Sequence, residues 1–114
     1  MSLIVQSTVT TPVGSLELSL TIPVNASGLF DSTEYSLTTG TTTIAVPTWA
    51  LTAIIVPNTA NTHTLLAKLN TGDTFRNISP ISPTIIALDA NNLPADIYLE
   101  SSGTDANPTT VIFI

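Results

Sequence analysis

His63 is the single histidine of this 114-residue sequence, and an imidazole acting as general base or metal ligand needs a partner of matching chemistry. No second histidine and no cysteine is present, and its flanks are Thr62 and Thr64, so His63 reads as a solvent-facing strand residue. The carboxylates are Glu17, Asp31, Glu34, Asp73, Asp89, Asp96, Glu100 and Asp105. Nearly all lie in or beside turn-forming stretches, where a carboxylate bonds nearby backbone N–H groups, and no local pattern suggests a glycosidase pair. Asp-Ala-Asn occurs twice, at Asp89-Ala90-Asn91 and Asp105-Ala106-Asn107, and clusters oxygen atoms as a calcium loop would. A loop of that kind also needs an Asp-x-Asp-x-Asp-Gly run and a bidentate glutamate; both are missing, and turn chemistry accounts for the two tripeptides. The sequons at Asn25 and Asn77 carry no weight in a chain this rich in Asn and Ser. Spacings such as Thr62-His63-Thr64 lack the fixed repeat of a threonine-array solenoid. Trp49, Tyr98 and Tyr35 remain as candidate interface or ligand contacts, because aromatic rings offer flat apolar faces to sugars or to subunits. No catalytic, cofactor-binding or metal-binding residue is assigned, no cofactor is expected, and the chain reads as not an enzyme.

Composition narrows the partners. Hydrophobic residues make up 43% of the chain and charged ones 9%, against roughly 25% charged in an average soluble domain. Thr, Ser and Asn fill the difference, and threonine in particular suits the solvated side of a sheet. With 2 basic against 8 acidic residues the formal net charge is -6. That leaves no electrostatic footprint for nucleic acid or for an anionic membrane, and both are excluded as direct partners. No apolar run approaches the roughly 18 residues of a membrane span, and Met1-Ser2-Leu3-Ile4-Val5 has no basic stretch ahead of an apolar one. The expectation is a protein made in the cytoplasm without a signal peptide.

The elements that would position these residues are strands. Residues 15–22 alternate most cleanly, with Leu16, Leu18, Leu20 and Ile22 against Glu17, Ser19 and Thr21, which predicts one buried and one wet face. Residues 3–9 form a strand ended by Thr11-Pro12-Val13-Gly14, and residues 1–14 read as an edge strand or an arm packed on a neighbour. Further strands are expected at 34–37, 42–46, 84–88, 96–101 and 109–114, with a short segment at 75–78 and a Pro-blocked connection at 80–83. The centre of the chain, residues 48–69, reads as a β-hairpin: runs 49–56 and 63–69 flank Pro57-Asn58-Thr59-Ala60-Asn61-Thr62. It holds the single Trp and His and one of the two basic residues. Helix formers at three- and four-residue spacing are lacking. The whole predicts one all-β domain over residues 1–114, an antiparallel β-sandwich or a jelly-roll-like barrel.

From the centre onward the order of strands and turns is similar to that of a known group. Trp49 through Asn58-Thr59, then Thr64-Leu-Leu-Ala-Lys-Leu69, Gly72-Asp-Thr-Phe75, Thr84-Ile-Ile-Ala-Leu88, Ile97-Tyr-Leu-Glu-Ser-Ser-Gly103 and Val111-Ile-Phe-Ile114 resemble small virion structural proteins of tailed bacteriophages, of the capsid decoration (cement) type. The likeness covers residues 48–114; residues 1–47 do not contribute. It implies a β-sandwich that binds the major capsid protein at the virion surface, often as a homotrimer. The alternative it leaves open is a carbohydrate- or receptor-binding module of a head fibre or tail accessory protein.

Overall fold

In the computed structural model, which describes residues 2–104 and 107–114, every regular element is a strand. These are β1 (Ser2–Thr11), β2 (Gly14–Pro23), β3 (Asp31–Leu37), β4 (Thr42–Ala45), β5 (Thr52–Pro57), β6 (Leu65–Lys68), β7 (Arg76–Ile78), β8 (Thr84–Ala87), β9 (Asp96–Ser101) and β10 (Asn107–Phe113). Strands β3 to β10 make two four-stranded antiparallel sheets, ordered β3-β10-β5-β8 and β4-β9-β6-β7. Only β6 and β7 follow one another within a sheet; every other step between these strands changes layer. That double winding is the connectivity of a jelly roll, a sandwich of two Greek keys.

Period-two alternation decides which residues enter the space between the layers. In β9, Ile97 and Leu99 are fully buried while Tyr98 and Glu100 between them face outward. They meet Leu37, Ile44, Ala53, Ile55, Leu65, Val111 and Phe113 in a single core, flanked by the half-buried Tyr35 and Trp49. Asn107, buried at one end, ties the layers together: its Nδ2 donates to Ser101 Oγ on β9 at 2.8 Å and to the Leu37 carbonyl at 3.4 Å.

The central hairpin expected over residues 48–69 does not form. β5 pairs with β10 and β8 in one sheet, and β6 pairs with β9 and β7 in the other. The turn is real: Asn61 N donates to the Asn58 carbonyl at 3.0 Å, and Ala60 N to Asn58 Oδ1 at 2.9 Å. However, Asn58 N and Asn61 Nδ2 both bond the Pro108 carbonyl, which keeps the turn on the β10 side of its own sheet. Residues 58–64 then cross the roughly 10 Å between layers, a longer path than the two to five residues of a tight hairpin. Trp49 is outside the strand as well, in a turn closed by Ala50 N donating to the Pro47 carbonyl at 3.1 Å.

β1 and β2 stand apart. They pair along their full length, from Ser2 opposite Pro23 to Thr11 opposite Gly14, as a two-stranded ribbon that joins neither sandwich sheet. The clean alternation of residues 15–22 was expected to seat one face in the core, yet Leu20 is 47% exposed, while Ile22, at the root, is buried. Within a sheet β2 pairs with β1 alone, and among the described residues its further ties to the sandwich lie at its root. Three contacts fix the root: Ile22 is 2% exposed, Thr52 Oγ1 donates to the Pro23 carbonyl at 2.7 Å, and the Asn25 amide exchanges two hydrogen bonds with the Leu29 backbone. Gly28, at φ 67°, supplies the left-handed residue that the turn after Asn25 requires. The molecule is extended in consequence: its radius of gyration is 15.4 Å, against about 13.3 Å for a compact chain of this length.

Candidate functional site

Tyr98 lies on the outer side of the β4-β9-β6-β7 sheet, where the register sets it between Thr43 and Lys68. Lys68 Nζ sits 5.5 Å from the centre of its ring and 4.6 Å from that of Phe75, and donates to the Thr71 carbonyl at 3.1 Å. An ammonium at these distances from two aromatic faces is held by the ring quadrupoles. Asp73 closes the adjoining turn by accepting from both the backbone N and the side-chain Nδ2 of Asn70 through Oδ2. Beside this cluster the two sheets part at their β7 and β8 edges. A cleft of about 520 Å³ opens there, lined among others by Lys68, Asp73, Arg76, Ile78, Thr84 and Ile86. The two basic residues of the sequence therefore share one cleft, whose floor is aliphatic. The exposed Arg76 makes no hydrogen bond or ion pair among the described residues.

The other two aromatic candidates are not brought to this place. Tyr35 on β3 and Trp49 in the β4–β5 turn both pack against the core between the layers, so the three rings form no common platform. His63 is half-buried in the bend before β6, with its ring pressed against Gly103, where a Cβ would overlap it. It is neither on a strand nor turned wholly to solvent, which corrects its expected position. The Asp89 loop does what turn chemistry required: Asp89 Oδ1 accepts from Asn91 N at 2.9 Å, and Asn92 N donates to the Asp89 carbonyl. Of the second Asp-Ala-Asn, Asp105 and Ala106 lie outside the described residues, and Asn107 is a buried inter-sheet strut.

A second feature was not among the sequence candidates. On the outer side of the β3-β10-β5-β8 sheet the register aligns Ile112, Ile54 and Ile85 in one row, with Val56 beside Thr110 in the next. Ile85 is 42% exposed, and the rest of this aliphatic face is half-buried. A groove of about 330 Å³ joins it to the root of the ribbon, lined by Leu20, Ile22, Pro23, Thr52, Ile85 and Ala87. The signal was present in the sequence, since β5, β8 and β10 contain unbroken runs such as Ala53-Ile54-Ile55-Val56 and Thr110-Val111-Ile112-Phe113 instead of alternation, and an unbroken run has apolar residues on both faces. The opposite outer face carries Thr43, Tyr98, Lys68, Glu100, Leu66 and Asn77, a mostly polar set with one aliphatic residue at its middle. Compared with protein families, curated proteins and solved structures, the chain matches none.

Proposed function

We propose that this chain is a non-enzymatic structural protein of a virion, which decorates a phage capsid and stabilises it by binding between subunits of the major capsid protein. The observation that carries this reading is the aliphatic row Ile112, Ile54 and Ile85 on the outside of a sheet that would ordinarily present polar residues to water. On a solvated sheet isoleucine there gains only strand propensity and cross-strand contact, whereas on a sheet that docks on protein it also gains burial. The low charge supports the same reading, because neutral faces lose little solvation on docking. So does the likeness of residues 48–114 to decoration proteins. Assembly as a homotrimer and residence on the capsid surface belong to the proposal. Co-sedimentation with purified empty capsids is the test: saturable binding supports it, and a folded chain that stays in the supernatant at all ratios overturns it.

The second reading is a carbohydrate- or receptor-binding module of a head fibre or tail accessory protein. Its support is the Tyr98–Lys68–Phe75 cluster beside the cleft that also holds Arg76, an arrangement fitted to a sugar bearing a carboxylate. Binding on a glycan array that is lost in both Tyr98→Ala and Arg76→Ala, with the fold intact, would favour it over decoration. Trp49 is a poor probe for this purpose, since its removal would disturb the core.

A further inference from the structure

We infer that the β1–β2 ribbon and the aliphatic outer face of β10, β5 and β8 form one surface covered by a second copy of this chain, the ribbon of one copy lying in the Leu20–Ile85 groove of the next. The inference deepens the reading of this chain as an assembly protein and rests on it.

Surface area is the first argument. The chain exposes 6800 Å², whereas a compact monomer of 11.9 kDa exposes about 5,950 Å². The excess, roughly 850 Å², is close to the ~800 Å² that each partner contributes to a standard protein interface. A ribbon of two strands is also marginal on its own in water and needs a covering layer.

Edges supply the second argument. Strands left at an edge are ordinarily shortened, charged with lysine or interrupted by proline to prevent pairing. β1 and β2 are each ten residues long, residues 1–30 contain no Lys or Arg, and the prolines, Pro12 and Pro23, fall at the turn and the root. β8 is an edge strand too, and its Ile85 is open to solvent. The register pairs Val5 with Leu20 and Val9 with Leu16, while Leu18 stands opposite Ser7 and Ile4 opposite Thr21. A long edge without lysine is open to pairing with another copy.

Charge identifies the occupant. A net charge of -6 opposes self-association wherever acidic groups meet. Yet among residues 1–30 the one ionisable side chain is Glu17, and none of the six groove residues named above is ionisable. Among the described residues the other acids, Asp31, Glu34, Asp73, Asp89, Asp96 and Glu100, all belong to the sandwich strands and their connections. Two copies can therefore meet through ribbon and groove without bringing their negative charges together. Groove and ribbon are present on every copy, so the contact is head-to-tail and closes into a ring when the rotation permits.

The test uses the full chain. Light scattering coupled to size exclusion should give a whole-number multiple of 11.9 kDa for the parent and for Thr43→Glu on the opposite face. Ile85→Glu and Leu20→Glu should fall to the monomer mass with an unchanged far-ultraviolet spectrum. Because the chain lacks cysteine, Leu20→Cys adds a readout that does not depend on a disruptive substitution. In the assembly its maleimide labelling should be slower by roughly tenfold or more than in the diluted monomer, since only the uncovered fraction reacts. A monomeric parent, or a multimer in which Ile85→Glu keeps its mass and Leu20→Cys labels freely, overturns the inference. A monomer that still binds capsids would do so while leaving the decoration reading standing; a multimer that ignores capsids would do the reverse.

Discussion

Thr52→Val tests whether the ribbon is anchored where the structure places its anchor. Thr52 is fully buried on β5, and its hydroxyl donates to the Pro23 carbonyl at 2.7 Å, the hydrogen bond that joins the end of β2 to the sandwich. Valine has nearly the same shape, so packing is kept and the loss is confined to one hydrogen bond. A neutral bond of this kind contributes about 1 kcal/mol net, and an acceptor left dry would raise the cost to about 1–3 kcal/mol. Pro23 is itself exposed, so water can reach its carbonyl, and the lower figure should apply. About 1 kcal/mol in a domain of this size is roughly 3–6 °C in Tm. The backbone bonds between Thr52 and Ile114, at 3.0 Å in both directions, are untouched, so β5 should hold its place. Calorimetry at fixed protein concentration reads the global part, and amide exchange reads the local part: residues 2–23 should exchange faster while the amides of β5 and β10 follow the small global change. An unchanged Tm together with unchanged exchange in residues 2–23 would refute the anchor, and so would a loss large enough to unfold the sandwich.

Asn107→Leu should cost about 2–4 kcal/mol by urea denaturation, because it deletes two hydrogen bonds at a site 1% exposed and leaves the Leu37 carbonyl and Ser101 hydroxyl short of a partner between the layers. Leu99→Ala, at a fully buried position, should cost about 2–5 kcal/mol, while Val13→Ala at the ribbon tip, 97% exposed, should stay within ~0.5 kcal/mol. Gly103→Ala should displace the His63 ring, seen as a changed imidazole chemical shift with a stability loss of about 1–2 kcal/mol; an unmoved His63 resonance would show that the close approach is not maintained in solution.

Local pattern carried a good part of the fold and failed at identifiable places. The strand at residues 96–101 and the connection at Pro80-Ile81-Ser82-Pro83 were both legible, because each follows from backbone geometry that a few residues determine. Pro57-Asn58-Thr59-Ala60-Asn61-Thr62 was correctly a turn, but whether a turn returns to its own sheet or crosses to the other depends on what pairs with each flank. β5 takes its partners from β8 and β10, some 30 and 55 residues onward, and no window around residue 57 contains them. The alternation of residues 15–22 likewise predicted a strand and not its neighbours; a period of two says that one face prefers cover, not that the same chain supplies it. The aromatic candidates separated for a related reason. Tyr35 lies two residues before the buried Leu37, on the same face, and packs inward, whereas Tyr98, between two buried neighbours, must face out.

The two outer faces of the sandwich differ in character. On the β4-β9-β6-β7 side the outward residues are mostly polar: Tyr98 lies under the Lys68 ammonium, Leu66 stands between Glu100 and Asn77, and Glu100 accepts from the Thr41 hydroxyl at 3.0 Å. On the other side the row Ile112, Ile54 and Ile85 has Ser32 at one end and open edge at the other, and nothing in the sandwich covers it. Among the described residues the ribbon meets that face near its root, from Leu20 to Pro23, and it joins neither sandwich sheet. Folding it back over its own sheet would remove the excess surface without any partner; the contacts at Thr52 and Asn25 instead hold the root in its present place. A ribbon held off its own aliphatic face leaves both surfaces to be completed between molecules, and on the proposal made above the same pairing that covers them builds the assembly.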